Sequence, residues 1–246
     1  MTSIYAALIL FATTVVGAAL AEKLSAQLDR RLPDLLAFGG AFLLGLCFLH
    51  ILPEAYTLTN NAGYYVLGGF LLQMVLEWAS QGVEHGHVHG NRFSALAFFS
   101  LCLHALIESI PLGIDRVGMM AWLSENSTAG FSHVGHSHRP LLLGLVLHKL
   151  PVAVALMALL RGSSAGAGRR WSWVLVFGAM PAVGILVAKI YPFHAAWSGA
   201  MGGLLVGILL HIATTVLFEA SDGHHFNWRK ASVVILGLGL AGVTLL

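Results

Sequence analysis

The sequence predicts an all-α integral membrane protein with eight transmembrane helices. Three observations carry that prediction. Hydrophobic residues make up 57% of the 246-residue chain, and the mean hydropathy is +0.81. Asp, Glu, Lys and Arg together make up only 10%, against roughly 25% in a soluble domain. The apolar residues fall in long continuous runs, without the alternation of a membrane β-strand. An ordinary soluble domain and a disordered chain are both excluded. A net charge of +2 gives no footprint for a nucleic-acid partner.

A bilayer core of about 30 Å takes roughly 20 apolar residues per helix. On that length the spans are read at 3–21, 35–57, 63–81, 93–114, 140–161, 171–190, 195–219 and 231–246. The first run offers the small residues of Ala19-Leu20-Ala21, but no basic segment precedes it, so it reads as a retained span rather than a cleaved signal. Cys47 and Cys102 lie inside apolar runs and read as packing residues.

The distribution of Lys and Arg sets the orientation. With the N-terminus outside, Lys23, Arg30, Arg31, Arg92, Arg161, Arg169, Arg170, Arg229 and Lys230 fall on the cytoplasmic side. Only Arg116, Arg139 and Lys189 fall outside, and Lys149 lies within a span. Both termini are therefore expected on the outer face of a multi-pass protein of the cell membrane. The chain reads as a single transmembrane domain, 1–246, with His-containing loops at 82–92 and 115–139. Three spans on each side of a central pair also allow an inverted repeat.

Ionisable groups at bilayer depth are costly and point to function. The fourth span reads Leu103-His104-Ala105-Leu106-Ile107-Glu108-Ser109-Ile110-Pro111. His104 and Glu108 are four apart and share a helix face, so both can ligate one divalent cation. The fifth span adds His148 and Lys149 ahead of Pro151. Neither proline can donate to the carbonyl four residues back, so both helices are expected to bend beside the polar groups. The second span ends in His50-Ile51-Leu52-Pro53-Glu54, and the seventh carries His211, Thr215 and Glu219 on one stripe. His50, Glu54, His211 and Glu219 are read as transport-path groups and Lys149 as a charge-compensating one. Glu77 reads as a span-end residue, and the Gly68-Gly69 and Gly202-Gly203 pairs as sites of close helix packing. In the loops, His85, His87, His89 and His133, His136, His138 form glycine-spaced tracts suited to metal collection.

With these residues in view, the chain resembles the ZIP (Zrt/Irt-like) divalent metal transporters. The resemblance rests on His104-x-x-x-Glu108 followed by Pro111-Leu112-Gly113, on His148-Lys149, and on His50-Ile51-Leu52-Pro53-Glu54. It implies eight helices in a 3+2+3 inverted-repeat arrangement, a transport path lined by the fourth and fifth helices, and His104, Glu108 and His148 as the metal ligands. Phe42 falls where some members have a Met near the metal, so no thioether ligand is expected. Many members also have Asp or Asn directly after the second His and Glu four residues after it, where this chain has Lys149 and Val152. His-Lys on the fifth helix is similar to the subset of the family in which a lysine takes the place of a second metal.

The function read is therefore transport of zinc, or a related divalent transition metal, through a mid-membrane His/Glu site by alternating access, and the resemblance implies that the direction is import into the cytoplasm. Imidazole with carboxylate also suits Fe²⁺, Mn²⁺, Co²⁺ and Cd²⁺, whereas Ca²⁺ and Mg²⁺ prefer all-oxygen cages. No enzyme activity is expected. Two alternatives stay open: an intramembrane zinc-dependent hydrolase using the same ligands, and a haem or quinone electron-transfer protein with His104 and His148 as axial ligands. The expected partners are the metal ion and the lipid bilayer, with a homodimer left open.

Overall fold

The computed structural model describes residues 2–80, 94–114, 139–191, 195–219 and 228–244. These residues form eight helical rods. The first is α1, Thr2–Lys23. The second begins as α2, Ser25–Leu46, passes through a π-helical turn at Cys47–Ile51 and continues as α3, Leu52–Leu58. Then come α4, Ala62–Ser80, and α5, Ala95–Ile107, which leads into a 3₁₀ turn at Ile110–Gly113. The remaining rods are α6, Arg139–Gly162; α7, Ala167–Ile190; α8, Ala195–Glu219; and α9, Trp228–Thr244. Helix is the secondary structure such apolar runs favour, because in lipid each backbone N–H and C=O must be satisfied within the segment.

Among the described residues, six stretches are long and apolar enough to cross a membrane: Ser3–Lys23, Arg31–Leu58, Ala95–Gly113, Arg139–Gly162, Ala167–Ile190 and Trp197–Leu217. The other two rods are α4, which carries Gln73 and Glu77, and the 17-residue α9. Helical structure in the second rod begins at Ser25, ahead of the apolar run, and takes Pro33 into the helix.

The two prolines beside the polar groups behave differently. At Pro111 the α-helix is lost: α5 ends at Ile107 and the chain tightens to 3₁₀ geometry. The Ser109 hydroxyl donates to the carbonyls of Ala105 and Leu106, 3.1 and 2.8 Å away, and so serves two acceptors of the ending helix. At Pro151 the helix runs on unbroken. The carbonyl that Pro151 cannot serve, that of Leu147, faces Gly39 of α2, where an added Cβ would come within 3.2 Å of it. A residue without a side chain at position 39 thus lets α2 lie against α6 at the level of His148.

The α6 helix is buried along most of its length, and its residues Val154, Leu156, Met157 and Leu160 form a core with Leu101, Phe98 and Phe177. The α4 helix pairs extensively with α8, and α9 with α2. Helix α1 packs on α6 and α7, and α5 on α7 and α4. The α4–α8 seam brings backbones together: a Cβ added to Gly69 or Gly207 would collide with the Leu204 or Val66 carbonyl of the facing helix. Gly203 also faces α4, whereas Gly68 faces open space and Gly202 meets only the Ala55 side chain. At the rod ends, Arg170 and Trp171 of α7 donate to the Glu22 carboxylate of α1 at 3.2 and 2.8 Å, and Arg229 of α9 pairs with Asp34 of α2.

Candidate metal centre

The end of α5 and the middle of α6 meet inside the bundle. Their four ionisable side chains, His104, Glu108, His148 and Lys149, are each no more than 4% exposed. One turn of helix separates His104 from Glu108, and its Nε2 lies 3.1 Å from Glu108 Oε2. Glu108 directly follows α5 and keeps right-handed helical geometry, so the one-turn spacing survives although the α-helix is lost just before Pro111. The rings of His104 and His148 stand edge to face, 5.9 Å apart. One ligand atom from each of His104, Glu108 and His148 can be chosen so that all three lie within 4.8 Å of one another. Among the described residues this is the one group of three or more His, Cys, Asp or Glu side chains so placed.

Charge at this depth needs a partner. Lys149 Nζ lies 2.6 Å from Glu108 Oε1 and 4.9 Å from the centroid of the Phe177 ring. The ammonium is therefore held by a carboxylate on one side and an aromatic face on the other. One oxygen of Glu108 bonds Lys149 and the other faces His104 Nε2, so a single carboxylate lies between the cation and the imidazole.

Two further residues bear on this region. Gln73, fully buried on α4, places its amide oxygen 3.0 Å from His104 Nδ1. One turn later on the same helix, Glu77 pairs with His211 of α8 through Nε2, with the Phe70 ring edge-on to the imidazole at 4.7 Å. Glu77 sits in the last turn of α4, which ends at Ser80, and there makes a polar contact between packed helices. Thr215 donates to the His211 carbonyl at 2.8 Å, a bond within its own helix, and Glu219 is the last residue of α8.

His50 and Glu54 lie on another element. They line a cavity with Ser198, Leu141, Pro111 and Ile114, so that it opens beside the turn that follows Glu108. His50 is buried in the π turn, and Glu54 sits in the first turn of α3. Phe42 is fully buried and packs where Gly144 of α6 leaves room. Cys47 and Cys102 are buried free thiols. The loop histidines His85, His87, His89, His133, His136 and His138 lie outside the described residues.

Sequence reasoning missed Gln73. The available signal was a lone amide in an apolar run, four residues before Glu77 and hence on the same helix face. Phe177 carried no comparable signal, since one more Phe in an apolar helix reads as core.

Comparison with known proteins adds one relative, and no family model matches the chain. The relative is a zinc transporter, ZIP13 of Bos taurus, 43% identical over 63 residues. That alignment covers 20% of this chain and 15% of the relative's length. Among the described residues the chain is thus all-helical, with six helices long and apolar enough to span a membrane, and it is similar over a short stretch to a zinc transporter.

Proposed function

We propose that the chain is a ZIP-type transporter that carries zinc, or a related divalent transition metal, into the cytoplasm. The observation that carries this reading is the convergence of His104, Glu108 and His148 from two helices, buried and within reach of one ion. Two imidazoles and a carboxylate are donors that suit Zn²⁺, and also Fe²⁺, Mn²⁺, Co²⁺ and Cd²⁺. The short similarity to a zinc transporter supports the same reading.

On this reading all eight rods cross the membrane in a 3+2+3 arrangement, and the ion meets its ligands near mid-bilayer. The helix packing supports the repeat. Exchanging first rod with sixth, second with seventh, third with eighth and fourth with fifth turns the α4–α8 pairing into α9–α2. The same exchange turns α1–α6 into α7–α5, and both resulting pairings occur. The basic residues Arg161, Arg169, Arg170 and Arg229 sit at the rod ends assigned to the cytoplasm, which supports outward termini.

The cavity beside His50 and Glu54 would lead the ion toward the ligands; its lining by Pro111, three residues after Glu108, supports that reading. Lys149 belongs to the site as a fixed cation in the space a second metal would need, as in the His-Lys subset of the family. His211 and Glu219 belong to the path on the α8 side, and the loop histidines collect metal at the membrane surface. The pairing of Glu108 with Lys149 favours the transport reading over a hydrolase that would need a spare carboxylate as base.

Uptake into proteoliposomes with a panel of Zn²⁺, Fe²⁺, Mn²⁺, Co²⁺ and Cd²⁺, with and without a pH gradient, tests the proposal. Saturable uptake of at least one of these ions is expected. No uptake of any, together with lipid hydrolysis in detergent or a Soret band in the pure protein, would replace it with one of the alternatives.

A further inference from the structure

We infer that Gln73 is the positioning residue for His104: its amide oxygen holds the imidazole in the tautomer and orientation that leave Nε2 bare toward the metal. The inference rests on the proposed metal site and deepens it. Gln73 is on α4, outside the two helices that supply the ligands, and is fully buried with its Oε1 3.0 Å from His104 Nδ1.

The chemistry follows from the inventory of donors. A carbonyl oxygen only accepts, so the proton of this hydrogen bond must sit on Nδ1. A neutral imidazole has one N–H, and spending it on Gln73 makes Nε2 the unprotonated nitrogen, the form that ligates a metal. Nε2 is the nitrogen that faces Glu108 Oε2 at 3.1 Å, and Glu108 is one of the three residues whose ligand atoms converge. A polar group that accepts from the outer nitrogen of a ligating His fixes the ring and raises its basicity. Gln73 has the placement for that task, and its amide does so without adding a charge to a site that already holds Glu108 and Lys149.

The same helix pair contains a built-in control. Ser100 of α5 donates to the Leu76 carbonyl of α4 at 2.5 Å, one turn from the Gln73–His104 contact. Both bonds join α4 to α5, but only one touches a proposed ligand. A residue that merely glues these helices and a residue that tunes a ligand can therefore be told apart.

The test uses full-length protein in detergent with His85, His87, His89, His133, His136 and His138 replaced by Ser, so that calorimetry reads the core site. Zn²⁺ binding should weaken by roughly 10–100-fold in Gln73→Met, the range found for lost outer partners of metal ligands. Ser100→Ala should bind as the parent does. Gln73→Glu, which also accepts from Nδ1–H, should recover parent affinity or exceed it. The Co²⁺ absorption bands should shift in Gln73→Met and stay unchanged in Ser100→Ala. Parent-like affinity in Gln73→Met, or an equal loss in Ser100→Ala, would overturn the inference while the metal site stands. Absence of core binding in the parent, or its persistence in His104→Ala, Glu108→Ala, would overturn the site itself and this inference with it.

Discussion

Lys149 and Glu108 meet across the α5–α6 interface, ammonium to carboxylate at 2.6 Å, with both side chains sealed from solvent. The pair puts a positive charge beside the proposed metal ligands. A second divalent ion there would have to displace or neutralise it.

We therefore expect one Zn²⁺ per chain in the core. Calorimetry on protein lacking the loop histidines checks this number. Lys149→Asp combined with Val152→Glu removes the cation and adds two carboxylates, and should raise the stoichiometry from one to two. A parent stoichiometry of two would refute the role given to Lys149.

Loss of the ligands themselves should be severe. His104→Ala with Glu108→Ala should abolish uptake, and each single change should weaken binding by more than the roughly 10–100-fold attributed to an outer partner. Radiotracer uptake in proteoliposomes provides the measurement. Wild-type rates in the double variant would remove these residues from the path.

Acid should oppose transport. Two of the three proposed ligands are imidazoles, which bind a cation only when neutral. Below the ordinary imidazole pKa of about 6.5 a proton competes with the metal, so the sign is loss of affinity as pH falls. Apparent affinity for Zn²⁺ should drop as the outside pH is lowered through roughly 6. A flat profile between about pH 5 and 7.5 would mean that at least one imidazole is not a ligand.

The loop histidines should act differently from the core ones. Replacing His133, His136 and His138 together should lower uptake at scarce metal and leave the maximal rate unchanged. A complete loss at saturating metal would place them in the translocation step.

The Glu77–His211 pair offers a test of stability. Removing one partner of a dry ion pair costs about 3–5 kcal/mol, and less is expected here because the Glu77 side chain keeps 19% exposure. Glu77→Ala should lower Tm in a thermal-shift assay, and Glu77→Leu with His211→Leu should recover part of the loss. If the double variant is stable but transports poorly, His211 serves the path beyond its packing.

Much of this was legible in the sequence, for definite reasons. Continuous apolar runs and few charges determine an all-helical membrane chain. A lysine deep in such a run requires a carboxylate, and Glu108 supplies it. What stayed hidden depends on which helices touch. No periodicity tells that α4 lies against both α5 and α8, so neither the Gln73–His104 contact nor the Glu77–His211 contact could be paired from spacing alone. The two prolines had the same local signature, yet one ends its helix and the other does not. The difference lies in their surroundings: Ser109 caps the ending helix at one, and Gly39 makes room for a spare carbonyl at the other.

The π turn at Cys47–Ile51 acts as a one-residue insertion in the frame of the second rod. An α-helix advances about 100° per residue, so the extra residue rephases everything after it. Phe42, before the turn, and His50 and Glu54, at or after it, are thereby aimed on different schedules from those a regular helix would set. Deleting Leu49 would restore the regular frame and swing the following side chains by about 100°. His50 and Glu54 would leave the cavity although neither had been mutated, and the proposed entry route would close while the proposed ligands His104, Glu108 and His148 stayed intact. A deletion variant that still binds Zn²⁺ in detergent but no longer takes it up into vesicles would separate access from affinity in a single change.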